Sequence, residues 1–457
     1  MDLITNTGFR HIFERILRCL TTKDLLSIRN LNTSFRCVLN DPNFWINQLQ
    51  VVGRKKLKIK WVEVMEYLKE SNHHLIKQKS ILLDCITNCL IKLHKEMSIL
   101  KDADRYFENV TLVHIVARYD NVELLKLFRK FYSDEEFYSY DDLGNQPFHE
   151  AAQRGNCRSL KYLTEIQENV IVWDRVVLIA AAKGHINVLK FVTEFLRDLR
   201  DFDINSITTS DGKQRTPICL AAENNRLRAL KYLVPLSKQP FKSDSFGNTP
   251  LHFAAKNGNT KIVKYLLASN HEPNPRSSNG TTPIHAAAHF NRLNILKILI
   301  PISNNFLEDF NARGWNALHI AALEGNLDII KYMFKKCKKL DTPNPITGAN
   351  AIHYAAENGH IEVLKYLVKR IPKPIIIPSF NGSNAIHLAS SNGHLNVVEF
   401  LFKLTPTPND PVIHQPNATP LNIAKGHNRL DVVDVIETLN RTSKFSRKRK
   451  RSLTKSQ

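Results

Sequence analysis

The 457 residues are 43% hydrophobic and carry a formal net charge of +21, so the chain is long enough for two or three ordinary domains, or for a repeat array with a small domain attached. Wholesale disorder is excluded by that hydrophobic share, and no window approaches 18 consecutive apolar residues, so no membrane span is expected. Seven scattered cysteines, odd in number, read as reduced thiols of the cytoplasm or nucleus, and the opening MDLITNTGFRHIF lacks the basic start and apolar run of a secretory leader.

The first predicted elements are three short helices within residues 1–50. Ile12, Phe13, Ile16, Leu17 and Leu20 fall at helical spacing. Asp24 can cap a second helix over 25–31, and Ser34 a third that ends at Asp41-Pro42, with Phe44 and Trp45 following. A core this small gains stability mainly from a partner or a neighbouring domain. In order and spacing, I-F-x-x-I-L-x-x-L (12–20), D-L-L (24–26), F-R (35–36) and D-P-x-F-W (41–45) resemble the F-box. The resemblance implies binding to the adaptor subunit of an SCF-type cullin–RING ubiquitin ligase. Phe9, Ile12, Ile16, Leu17, Leu20, Leu26 and Trp45 are its candidate contacts, and some of them must form the module's own core. Residues 8–11 read Gly-Phe-Arg-His where the family has Leu-Pro-x-Glu. The plainer reading of the stretch is a helical cap on the rest of the chain.

Residues 51–105 carry the basic run GRKKLKIK at 53–60 and continue as a helical pattern from Trp61. Leu75, Ile76, Leu82, Leu83, Ile86, Leu90, Leu93 and Met97 make its apolar stripe, as in a spacer docked on the next domain. Cys85, Cys89 and His94 lack the second Cys/His pair of a zinc site and read as helix-core positions. No metal or cofactor is expected.

From 106 to 440 the chain repeats itself. Units aligned on Thr249-Pro250-Leu251-His252 begin at 111, 146, 175, 216, 249, 282, 316, 350, 384 and 419, about ten copies, each burying its apolar face on its neighbours. Pro in the second slot suits a first helical turn, and an Ala-Ala pair in the sixth and seventh lets helices approach. The tenth slot holds only Gly, Asn or Asp, the residues that best tolerate a left-handed helix cap. Thr-Pro-Leu-His-Phe-Ala-Ala with Gly258 resembles the ankyrin repeat. The whole then reads as all-α: a three-helix F-box-like module, a helical spacer, and an ankyrin α-solenoid with β-hairpin or loop fingers. The third copy, RVVLIAAAKGH, lacks Thr-Pro, and residues 198–214 after it are expected to form a loop or finger.

Seven histidines recur in the fourth slot: 114, 149, 252, 285, 319, 353 and 387. Neighbouring helices pack about 8–10 Å apart, too far for one ion to bridge successive rings, and the resemblance implies hydrogen bonds that tie adjacent repeats. The sixteenth slot carries Lys126, Lys161, Lys190, Lys231, Lys264, Lys297, Lys331 and Lys365, which reads as a solvated helix face; an acidic partner is the sharper alternative. No aromatic platforms interleave with it, so nucleic acid is not expected. The resemblance implies a concave surface, lined by fingertips and short helices, that binds an unknown target protein. Phe246, Arg276, Arg313, Trp315 and Phe380 are the tip residues not needed for stacking, and aromatics and Arg dominate interface energies. Some can instead pack on the neighbouring tip.

Residues 441–457 read as a basic disordered tail. Arg447, Lys448, Arg449, Lys450 and Arg451 form a compact run of the nuclear-import type. No phosphate-cradling loop, nucleophile elbow or H-E-x-x-H occurs, and no carboxylate pair stands out, so no enzyme is expected. Together these features predict a non-catalytic adaptor of the cytoplasm, the nucleus or both, joining the ligase adaptor and cullin to a target. An ankyrin scaffold or signalling regulator with no ligase link is the alternative.

Overall fold

The structure, a computed structural model, describes residues 112–453 apart from 130–132, 142, 166–172, 198–202, 304–305, 338–341, 372–377, 406–407, 409 and 413–414, with backbone alone for 112, 124, 127, 136, 197 and 443–453. The F-box-like module and the spacer, with the candidate contacts Phe9, Ile12, Ile16, Leu17, Leu20, Leu26 and Trp45, lie outside the described residues. Among the described residues every regular element is helical.

These residues fall into two compact units, one reaching to Thr208 and including Lys231–Ser237, the other comprising Thr209–Leu230 and the chain from Lys238 on. In the first unit, helix Pro147–Arg154 lies between Leu112–Arg118 and Trp173–Lys183. Their return helices are Val122–Phe128, Cys157–Glu165 and Ile186–Arg197. In the second unit, Pro217–Glu223, Pro250–Asn257, Pro283–His289, Ala317–Leu323, Ala351–Glu357, Ala385–Asn392 and Pro420–Gly426 pack each on the next. Every one of the ten sequence slots therefore opens a helix pair.

The slots act as their chemistry suggests. Pro147, Pro217, Pro250, Pro283 and Pro420 each start a helix, behind Gln146 or a Thr cap. Where Pro is absent, Asn316, Asn350 and Asn384 cap the helix through their side chains. The paired alanines, Ala254 and Ala255 for example, have no solvent exposure. At 114, 252, 285, 319 and 387 the fourth-slot histidine ties two layers together. In His252, Nδ1 accepts the Thr249 N–H at 3.1 Å while Nε2 lies 2.9 Å from the Thr281 carbonyl of the next copy. His285, His319 and His387 repeat this with the carbonyls of Trp315, Thr342 and Asp410. One proton per ring, on Nε2, satisfies both bonds, and burial holds these rings neutral: His252 and His319 are lowered to about 4.

All ten tenth-slot residues have positive φ, from 55° at Asn428 to 83° at Gly184 and Gly393. A second constraint sits on this slot. The next copy's eleventh residue reaches back over it to a carbonyl: His360 Nε2 to Leu323 O at 2.8 Å, Arg292 Nε to Lys256 O at 3.0 Å, Asn326 Nδ2 to Ala288 O at 2.8 Å. When that residue is His or Arg, its side chain covers the tenth slot, and a Cβ on Gly325 would stand 2.5 Å from His360 Nδ1. When it is the shorter Asn, the slot can carry a side chain. The sequence alternates accordingly: Asp120, Asn225 and Asn291 are followed one copy later by Asn156, Asn259 and Asn326, whereas every glycine there is followed by His or Arg.

One expectation, the disordered tail, is overturned, and three gain detail. The third copy, without a cap or Pro at 175, begins its helix earlier at Trp173, and Arg175 points its guanidinium at the carbonyls of Gly144 and Leu143, 2.9 and 2.8 Å away. Within 198–214, residues 198–202 lie outside the described residues; Asp203 caps a single 3-10 turn, and a finger closed by Thr209 and Arg215 follows. The fingers are tight turns closed by backbone bonds such as Asn311 N–H to Trp315 O at 3.0 Å and Gly314 N–H to Asn311 O at 2.8 Å, and no strand forms among the described residues. The last helix continues through Leu453, so residues 441–453 are helical where a disordered tail is expected; they contain no Gly or Pro to end the helix. The sixteenth-slot lysines are exposed as expected, and several pair within their own helix, Lys365 with Glu362 at 2.8 Å.

Candidate protein-binding groove

The fingers of the second unit lean on one another through single backbone bonds: Ser278 N–H to Phe246 O, Ala312 N–H to Asn279 O and Phe380 N–H to Thr347 O, at 2.7–2.9 Å. A side-chain amide or carboxylate closes each turn from inside. Asn311 Oδ1 accepts from the N–H groups of Arg313 and Trp315, both at 3.0 Å. The buried Asn344 amide donates to the Arg313 carbonyl at 2.9 Å and to the Tyr354 hydroxyl at 2.7 Å. Small polar side chains thus fix the tips without an extended sheet.

Between these fingers and the short helices of the fifth to seventh copies lies a groove of about 700 Å³. Arg313, Trp315 and Asn279 line its finger wall; Phe253, Lys256, Phe290 and Glu324 line the helix wall. Two cation–aromatic pairs face into it. The Arg313 guanidinium stands 5.0 Å from the Trp315 ring centre, and Lys256 Nζ 5.3 Å from that of Phe290. Trp315 is further held edge-on to Tyr354, with ring centres 5.9 Å apart. Glu324 is 3.0 Å from His289 Nδ1. His252 and His285 border the groove with their pKa values lowered by burial, so they add no charge at neutral pH.

The five tip residues separate. Arg313 and Trp315 line the groove; Phe246, Arg276 and Phe380 are not among its lining residues. Arg276 is a brace, paired with Asp309 at 2.6 Å and donating to the Phe310 carbonyl at 3.0 Å. Phe380, 72% exposed, rests its ring on the preceding tip, where a Cβ on Gly348 would come within 2.6 Å of it. Phe246 stands 57% exposed. Sequence reasoning expected short helices on this surface but named none of the helix-wall residues. Phe253, Lys256, His289, Phe290 and Glu324 occupy the fifth, eighth and ninth slots, where identity changes from copy to copy while the stacking slots hold constant. That internal variation is the signal that marks a free surface. The basic residues Arg447–Arg451 lie on the last helix, described there by backbone alone.

Among the described residues no group of three or more His, Cys, Asp or Glu is placed to hold a metal ion, and no helix is long and apolar enough to cross a membrane.

Comparison with known proteins bears on both ends of the chain. Residues 10–47 match the F-box domain family, and 177–277, 267–344 and 335–412 each match ankyrin repeats. Among solved structures, the ankyrin repeat domain of Bcl-3, described as a unique member of the IkappaB protein family, is 23% identical over 49% of this chain and 99% of its own, with a TM-score of 0.41. Both matched families are interaction modules.

Proposed function

Since this chain belongs to the ankyrin-repeat proteins and carries an F-box ahead of its repeats, we propose that it is the substrate-recognition adaptor of an SCF-type cullin–RING ubiquitin ligase. The observation that carries the reading is the presence of both modules in one polypeptide. A repeat array alone binds; coupled to an F-box, whatever it binds is delivered. The F-box contacts the ligase adaptor through residues drawn from Phe9, Ile12, Ile16, Leu17, Leu20, Leu26 and Trp45, and the groove over the fifth to seventh copies holds the target.

The chain performs no bond chemistry in this reading. Tethering the target beside a charged ubiquitin-conjugating enzyme replaces an encounter at cellular concentration with one at an effective concentration of about millimolar. Transfer then favours whichever target lysines the geometry brings near.

The test uses purified components. The full chain mixed with the ligase adaptor subunit should co-elute on size exclusion, and the Ile16→Asp/Leu17→Asp double variant should elute alone. Co-elution that survives the substitution, or none with the intact chain, removes the ligase link and leaves an ankyrin scaffold.

A further inference from the structure

Resting on the reading that the repeats hold a target protein, we propose that the groove of the fifth to seventh copies takes an extended segment in which an Asp or Glu stands within one or two residues of a large apolar side chain. The first argument is the state of the cations. Elsewhere in this unit arginines near the fingers are consumed: Arg215 by Asp211 and Glu223 at 2.8 and 2.7 Å, Arg276 by Asp309. Lys256 and Arg313, on opposite walls, have no carboxylate partner among the described residues and face only aromatic rings. The acid among the lining residues, Glu324, already contacts His289 Nδ1 at 3.0 Å, and its single charge leaves the two cations in excess. The excess charge in the groove is therefore positive, and its carriers are pre-oriented by the rings beneath them.

The second argument is what lies between. Phe253, Ile320, Leu323 and Phe290 give the groove an apolar lining. A ligand offering only carboxylates leaves that lining wet; one offering only apolar groups covers the cations without pairing them. Both demands are met when the two side-chain types are neighbours in an extended chain, and the groove is of a size to take a few side chains. Nucleic acid fits poorly here. Arg313 stands over the Trp315 ring and Lys256 over that of Phe290, so one face of each ring is already taken by a cation.

The test is a random twelve-residue peptide library displayed on phage and selected on the full chain. Enriched sequences should place Asp or Glu within two positions of Phe, Trp, Leu, Ile or Met. Synthetic versions, followed by fluorescence anisotropy, should lose about tenfold in affinity with Arg313→Gln or Lys256→Gln. They should be unaffected by Lys264→Gln on the outer helix Thr260–Ala268. Arg313 is an exposed fingertip side chain, and circular dichroism verifies each variant's fold. Selection on Arg313→Glu should enrich Lys or Arg in place of the acids. Enriched peptides without acids, affinities indifferent to Arg313→Gln, no enrichment, or binding of a labelled oligothymidylate at Arg313 instead of peptide would each overturn the proposal. None of these touches the ligase reading, whose own failure shows as loss of the adaptor by a chain that still binds peptide.

Discussion

The alternation between the tenth and eleventh slots makes a quantitative claim about coupling. In the seventh copy Gly325 has φ +75°, and His360 lies across it with Nε2 2.8 Å from the Leu323 carbonyl. Gly325→Asn puts a side chain where His360 sits, so the ring must move and its carbonyl bond is lost. With a left-handed backbone that Asn accepts at modest cost, the loss is about 2–3 kcal/mol, mostly the unpaired bond and the displaced ring. His360→Asn alone keeps a donor for the carbonyl but uncovers Gly325, for about 1 kcal/mol. The double variant recreates the arrangement of Asn291 and Asn326, in which the Asn326 amide donates to Ala288 O at 2.8 Å. It should be more stable than the sum of the singles predicts by about 1–2 kcal/mol. Urea unfolding followed by circular dichroism at 222 nm, on all four proteins, reads the cycle on the order of the uncertainty needed. Additive losses would refute the steric reasoning and reduce the tenth slot to backbone preference alone.

Other consequences follow from the same geometry. Burial holds His149 at about 3 and His252 and His319 at about 4, while the unfolded chain protonates near pH 6.5, so the unfolded state binds more protons as pH falls through the window from about 6.5 to 4. Stability is therefore lost on acidification, by about 2 kcal/mol per ring between pH 7 and 5, and a urea midpoint that stays constant over that range would contradict it. Asn344→Ala removes the amide that joins the Arg313 carbonyl to the Tyr354 hydroxyl, and thermal denaturation should register a loss of about 2–4 kcal/mol. If the run Arg447–Arg451 acts in nuclear import, replacing its five residues by Ser should move a fluorescent fusion from nucleus to cytoplasm; an unchanged distribution refutes that role.

Legibility of this protein tracks how local each determinant is. The ten starts, the caps and the left-handed tenth slot are decided within a few residues, and each is written in the chain wherever a Thr, Pro, Ala pair or Gly stands. Contacts between copies are harder to read. Arg276 looks like a binding residue until Asp309, thirty-three positions on, is found beside it. The same holds for Phe380, whose ring needs a glycine in the preceding finger. Half of the groove is hidden in the sequence because Phe253, Lys256 and Phe290 become one wall only when successive short helices are laid side by side. The end of the last helix is illegible for a different reason: a basic stretch is compatible with either helix or coil, and no breaker decides between them.

The most direct test of the central claim is recovery from cells. The intact chain, the Ile16→Asp/Leu17→Asp variant and the Arg313→Gln/Lys256→Gln variant are precipitated side by side, and the cullin and its adaptor are probed in each. Delivery by a two-ended adaptor predicts that the intact chain and the groove variant recover the ligase while the F-box variant does not. Equal recovery by all three, or by none while the repeats remain folded, would contradict it.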